Sequence, residues 1–307
     1  MSTLLQELRV RVSKTRDGFP AIHSKVCCTG GGTPYLREPG VAMVGMPRVD
    51  ITSLGAMLEG FDEVDPTLGF LDYLEDPVKL TPGAELAKAA GQICYASYGP
   101  GRTCNEDAER YFENILRSGH GSVLEHANYT LLIYGISRSL THEKVRHRVG
   151  RAYSQLSQRY VSGRVLRFVE RPEYASDPEL HELFEARIDR AAKEYEDMSE
   201  RLLGLQEEGD QILSGEQKTD RRKKVQQVAR SLLPNETETI IVDTGNARAW
   251  RHYLEMRASE HAEVEIRAEA MRIYLCLVAV EPILFGDYEV VELGDGTLAL
   301  DTKYRKV

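Results

Sequence analysis

The chain has 307 residues, long for one compact domain and short for two large ones, with 42% hydrophobic and 28% charged residues and no low-complexity tract. Its formal net charge, 39 − 48 = −9, argues against broad binding of DNA or of an anionic membrane; an anionic ligand is expected only as a small molecule in a focused basic pocket. The opening MSTLLQELRVRVSKTRDGF lacks an uninterrupted apolar core, no later run reaches the length of a membrane span, and the five cysteines lack CxxC spacing, so a cytoplasmic, reduced chain without a zinc site or disulfide framework is expected.

Residues 1–80 read as an irregular N-terminal extension with three glycines at 30–32, scattered proline and short apolar pieces. No strand–turn–helix pattern frames those glycines as a phosphate loop. From Pro82 the pattern sharpens. Residues 84–93 and 106–117 read as helices, the second opened by Asn105 as N-cap with acids in its first turn. HANYTLLIYGI at 126–136 is rich in β-branched and aromatic residues and predicts a strand, and 138–148 predicts a helix. Two long charged helices follow near 178–207 and 218–232, with Gly and Ser around 209–215 as their break. TETIIVD at 237–243 predicts a strand, 246–280 a nearly continuous helix, and DYEVVEL at 287–293 a last strand. Strands and helices without strict βα alternation predict the α+β class. The expected organisation is an extension over 1–80, a catalytic unit over 81–295 and a C-terminal tail over 296–307.

The run KVRHRVGRAYSQLSQRYVSGRVLRFV at 144–169 holds seven Lys or Arg and no acid. Arg146, His147, Arg148, Arg151, Arg159, Arg164 and Arg167 therefore need partners from elsewhere, either distant carboxylates or a bound anion. A metal is disfavoured: THEKVR at 141–146 has the spacing of HExxH, but Arg146 stands at the second ligand position and cannot lose its proton. On the helix from Asn246, steps of 100° put Trp250, Tyr253, Leu254 and Val264 on one burying face, with Arg257 and His261 in its middle. An unpaired buried guanidinium is costly, so Arg257 must meet an acid, as in a core ion pair with a distant Glu, or an anionic ligand. That geometry requires the helix to continue through Ala258 and Ser259.

GHGSVLEHA at 119–127 sets His120, Ser122, Glu125 and His126 at a helix-to-strand junction. Arg230 stands near a helix end, where a cation satisfies terminal carbonyls as readily as it binds a ligand. In YSQLSQRY at 153–160, Ser154, Gln155, Ser157 and Gln158 are neutral donors and acceptors beside the fork-shaped cation of Arg159. That mix reads a base edge and grips a phosphate.

Taken in order, these segments resemble the flavin-dependent thymidylate synthases (ThyX), whose signature is RHR, seven residues, then S-x-R. Here Arg146-His147-Arg148 is followed by eight residues, 149–156, before Ser157-Gln158-Arg159, which places an additional residue between Arg148 and Tyr153. GHGSVLEHA is similar to the family's GH-x-S/T-x-x-EH segment, and NARAWRHYLEMRASEHAEVEIR to its C-terminal N-x-R…L-R-x-x-x-H helix. The resemblance implies a ThyX-like α+β fold, a mixed sheet flanked by long helices, assembled as a homotetramer with shared active sites. It implies a methyltransferase that converts dUMP to dTMP, with methylenetetrahydrofolate as carbon donor and FAD, reduced by NADPH, as hydride donor. A related flavin-dependent C5-methylase acting on UMP or another uridylate is the alternative. Carried over residue by residue, flavin contacts fall on Ser122, Arg146, His147, Arg148, Gln155, Asn246, Arg248, His252 and His261. Nucleotide contacts fall on Glu143, Arg146, Gln155, Ser157, Gln158, Arg159, Arg230 and Arg257. Arg257 takes the catalytic part, its charge stabilising an anionic form of the pyrimidine. His120 maps to the folate side, and His252 stands where some relatives have Asn. Two readings from other classes are an RNA-binding module, against which the acidity counts, and a structural oligomer with internal Arg–Glu networks.

Overall fold

The structure is a computed structural model in which residues 3–160, 166–207 and 215–305 are described; Arg164 and all but the last residue of the break expected at 209–215 lie outside them. Helix α1 (Thr3–Val10) precedes five short strands, β1 (Ser13–Lys14), β2 (Pro20–Ile22), β3 (Val26–Cys28), β4 (Pro34–Leu36) and β5 (Gly40–Gly45). Helices α2 (Gly55–Val64), α3 (Pro82–Ile93) and α4 (Ala108–Arg117) lead to β6 (Asn128–Ser137), α5 (Arg138–Lys144) and β7 (Arg151–Gln155). After β8 (Phe168–Val169) and α6 (Pro172–Ala175) come the long helices α7 (Pro178–Glu207) and α8 (Gly215–Ala229). The chain then forms β9 (Glu238–Asn246), α9 (Ala247–Arg257), α10 (Val264–Val280), α11 (Pro282–Phe285) and the hairpin of β10 (Glu289–Glu292) and β11 (Leu298–Asp301).

Six strands in the order β1-β2-β5-β6-β9-β7 make the central sheet. Every neighbouring pair in it is antiparallel. The class is α+β as expected, but the mixed character is confined to the small sheet β3-β4-β8, where β4 and β8 run parallel. The alternation of Tyr129, Leu131 and Ile133 along β6 puts all three at 0% exposure, the period-two signature of a strand with one face in a core. Trp250, Tyr253 and Leu254 of α9 lie fully buried in that same core, together with Ile266, Ile273 and Leu277 of α10.

Residues 1–80 are not an irregular appendage. β2 and β5 are interior strands of the central sheet, β5 pairing with β6, and Ala21, Ile22, Val41 and Met43 are core residues. These strands run three and six residues between Gly and Pro, too short for alternation to stand out. The expected tail is likewise structured as far as Asp301: β11 pairs with β10, and Leu298 and Leu300 join the main core.

Two helices end earlier than their patterns suggested. The helix expected over 138–148 stops at Lys144. The helix expected over 246–280 is two, α9 ending at Arg257 and α10 opening at Val264 with Glu263 as its cap, which accepts from Ile266 N at 3.3 Å. The link between them is stabilised by Arg267, whose guanidinium donates to the carbonyls of Glu260 and Ala262 at 2.8 and 3.2 Å, satisfying groups a continuous helix would have bonded itself. The burying face therefore holds only as far as Arg257. Val264 is half-buried in the next helix, and the His261 side chain is 87% exposed. Asn105 does not cap α4 either. It donates to Val78 O and accepts from Lys88 Nζ, each at 2.7 Å, while Asp107 occupies the cap position without a side-chain bond.

Candidate active site

The Arg146-His147-Arg148 segment sits in a loop between α5 and β7. Ser137 caps α5, its hydroxyl accepting from Leu140 N at 3.0 Å. The helix unwinds through tight turns in which Arg146 N donates to Glu143 O and His147 N to Lys144 O, at 3.3 and 3.2 Å. Arg151 N then donates to Arg148 O at 3.3 Å across Val149 and Gly150. Gly150 has φ +68°, and a Cβ there would lie 2.6 Å from Asn246 Nδ2, so dihedral and space both require glycine.

Arg257, at the end of α9 with its side chain 18% exposed, donates from Nη1 to Glu143 Oε2 at 2.5 Å and from Nε to His147 Nε2 at 2.9 Å. A guanidinium nitrogen cannot accept, so His147 Nε2 is the acceptor and the neutral ring carries its proton on Nδ1. Burial, then the charge of Arg257, with His252, Arg151 and Lys144 behind it, pushes the His147 imidazole down to about 4. The ring sits edge-on to Tyr253 at 5.0 Å and lies 5.6 Å from the ring of His252, which is itself exposed. Arg257 thus meets an acid, the first of the two outcomes its burial allowed. That acid, Glu143, is 37% exposed, so the pair opens towards solvent rather than into the core.

The other end of α5, about 10 Å away for a helix of seven residues, holds a second concentration of charge. Arg138, His142, Gln158, Gln227 and Arg230 line a cavity of about 400 Å³. Among the described residues no acid lines it. Burial and the neighbouring charge of Arg230 push the Arg138 guanidinium pKa down from its ordinary value. Gln158 Nε2 is buried without a hydrogen-bond partner. Two like cations and an orphaned amide donor around one cavity fit an oxyanion such as a phosphate. Arg138 was not singled out in the sequence. Its signal was there: a cation opening a helix directly after a strand, four residues before His142 and so on the same helix face.

The cation-rich run divides in two. Lys144 and Arg151 are fully buried against Asp243 of β9, and Arg167 forks onto Glu238. Arg146, Arg148 and Arg159 are exposed and make no ion pair among the described residues. Ser157 Oγ accepts from Arg159 N at 3.3 Å. Gln155 Nε2 donates to Thr141 and Thr239 at 3.0 and 3.2 Å, leaving its carbonyl as the free acceptor. Asn246 caps α9, its Oδ1 accepting from Ala249 N at 2.8 Å. Arg248 pairs with Glu125 at 2.7 Å, and His120 and Ser122 are exposed on the turn before β6. His261 is not brought to this site. It lines a separate cleft of about 270 Å³ beside the C-terminal hairpin. A larger cleft, about 890 Å³ between α7, α8 and the turn at Gly31 and Gly32, contains none of these candidates.

A family model described as "Thymidylate synthase complementing protein" matches residues 78–283. The chain is 46% identical over 216 residues to a flavin-dependent thymidylate synthase of Mycolicibacterium gilvum (strain PYR-GCK), covering 70% of this chain and 83% of that one. It is 44% identical over 216 residues to the flavin-dependent thymidylate synthase of Mycobacterium avium (strain 104), with the same coverage, 70% and 83%. Among solved structures it is similar to a UMP/dUMP methylase, PolB from Streptomyces cacaoi bound with 5-Br dUMP, with a TM-score of 0.51, 18% identity, and 81% of this chain and 94% of that chain covered. At that identity the likeness is one of fold.

Proposed function

We infer the function from one premise: the chain belongs to the thymidylate synthase complementing protein family, whose model covers 78–283. It is an enzyme, a flavin-dependent thymidylate synthase, and its reaction is the reductive methylation of dUMP to dTMP. At the level of residues, the reading rests on the cavity where Arg138, Arg230 and the orphaned amide of Gln158 converge without an acid among the described lining residues. Two like cations lining one cavity without a facing acid favour a bound anion there.

Arg138, Arg230 and Gln158, with Ser157 and Arg159, would hold the nucleotide phosphate. The free carbonyl of Gln155 would accept from the base edge. Arg146, His147 and Arg148, with Ser122, Arg248 and His252, would hold the flavin, the unpaired cations of Arg146 and Arg148 fitting its phosphates. Bound there, the flavin supplies the reducing equivalents of the methylation. Asn246 serves the same pocket indirectly, by capping the helix that carries Arg248 and His252. Methylenetetrahydrofolate would bring the carbon, near His120, and NADPH the electrons. Arg257 would stabilise negative charge developing on the pyrimidine, oriented by Glu143 and by the neutral His147. His261 fits a flavin contact only if it reaches a neighbouring subunit, as a homotetramer with shared sites would allow. Among the described residues no helix is long and apolar enough to cross a membrane, which accords with a cytoplasmic setting.

The visible spectrum of the purified protein, with and without dUMP, tests this directly. A flavin band perturbed by the nucleotide supports one shared cavity; a colourless protein that takes up no added FAD overturns the reading. Turnover of dUMP against UMP then separates it from the C5-methylase of another uridylate, which the name of the structural neighbour makes the second reading.

A further inference from the structure

Lys144, the last residue of α5, and Arg151, the first of β7, bracket the loop 145–150 that carries Arg146, His147 and Arg148. Their side chains, and those of Asp243 and Glu269, are all at 0% exposure. Lys144 Nζ lies 2.9 Å from Asp243 Oδ2 and 2.7 Å from Glu269 Oε1. Arg151 forks onto Asp243, with Nε 3.0 Å from Oδ1, and lies over the Trp250 ring at 3.6 Å. Glu269 also accepts from the Tyr253 hydroxyl at 2.6 Å, and Tyr253 forms one wall of the His147 pocket. The Tyr153 hydroxyl reaches the carbonyls of His147 and Lys144 at 2.6 and 3.1 Å, tying the loop backbone to the strand after it.

Two cations and two carboxylates make a neutral set, but stability does not account for it. Desolvating four charges offsets most of their attraction, and well-packed apolar residues usually do as well or better. What ion pairs supply and apolar contacts do not is direction: a guanidinium fork and an ammonium with two acceptors fix the chain at both ends of the loop. We propose that the Lys144–Asp243–Arg151–Glu269 cluster is a positioning device for the loop 145–150. It holds His147 at bonding distance from Arg257 while Arg146 and Arg148 face outward to the ligands. The side chains of the four touch no ligand, because none of those side chains has exposed surface. This deepens the functional reading above and rests on it for the loop's role.

The test is the paired variant Arg151→Met with Asp243→Asn in the full-length, flavin-loaded protein, which leaves Lys144 and Glu269 as a balanced pair. The expected result is a folded protein in which kcat/KM for dUMP falls about 10²-fold, the cost of a small misplacement at the site. The dUMP dissociation constant, read without folate, should rise about tenfold. The imidazole nitrogen shifts of His147, in one Nδ1–H tautomer in the parent, should average between tautomers in the variant. A folded variant with dUMP affinity and kcat/KM within twofold of the parent and an unchanged His147 tautomer overturns the proposal, leaving the cluster a packing element. Should the pair fail to fold, Arg151→Lys keeps the charge and removes only the fork onto Asp243. It should shift the His147 signals the same way, and unchanged signals there overturn the proposal equally. A parent that does not methylate dUMP sinks the functional reading instead, while the tautomer measurement still reports on the clamp.

Discussion

Arg257→Ala removes a guanidinium that makes two contacts, Nη1 to Glu143 at 2.5 Å and Nε to His147 at 2.9 Å. A hydrogen bond to a charged group contributes ~1.5–3 kcal/mol where it is shielded. Glu143 is 37% exposed, so water takes over much of its solvation and the stability cost falls to about 1–2 kcal/mol. Against a total of ~5–15 kcal/mol the variant folds, with a melting temperature lower by roughly 2–8 °C. The activity loss should be much larger. Losing a donor aimed at charge that develops in the transition state costs about 10²–10³ in kcat, while flavin content should be retained. The imidazole of His147 gives an independent readout. Burial, the largest cause of its lowered value, remains in the variant, whereas the charge of Arg257, the second, is gone. Its titration should therefore move up from about 4 without reaching the ordinary 6.5. Nuclear magnetic resonance of the ring protons across pH 4–8, beside single-turnover dTMP formation, measures both effects. Full dTMP formation would refute the catalytic assignment, and an unmoved His147 titration would refute the contact.

Arg159→Ala should weaken nucleotide binding by ~1.5–3 kcal/mol, or about 10- to 150-fold; calorimetric affinity indifferent to the change removes Arg159 from the phosphate site. Deleting residues 1–46 takes β2 and β5 out of the sheet and Ile22, Val41 and Met43 out of the core. At ~1.5–3 kcal/mol per buried side chain the loss rivals total stability, so the shortened chain should be insoluble, and a monodisperse, cooperatively melting product would contradict the sheet order. His147 also sets a pH dependence. Its folded value, about 4, lies below the ordinary 6.5 of the unfolded chain, so the unfolded state takes up the proton first as pH falls. The contribution is complete above pH 6.5 and is lost progressively down to about 4. Melting temperatures at pH 7.5 and 5 should differ more for the parent than for His147→Gln, and equal differences would refute the buried neutral ring.

The amino-acid order by itself determined the chemistry-bearing blocks. GHGSVLEHA, the RHR run with SQLSQRY, and the helix carrying Arg257 could be read because residue types and their spacing within a short string are local properties. It also determined α7, which spans Pro178–Glu207 as expected, and the burial of Trp250, Tyr253 and Leu254, since helical periodicity is a local property. Tertiary structure alone decided which cations find acids. Lys144 and Arg151 are neutralised by Asp243, roughly a hundred residues away, whereas Arg146 and Arg148 between them are not. No spacing rule encodes a partner that arrives from β9 and α10. It also decided that β2 and β5 belong inside the sheet and that Arg267 closes the break after Arg257. Strand order, ion pairing and the placement of Arg138 beside Arg230 all depend on contacts between distant segments, which exist only once the chain has closed around its core.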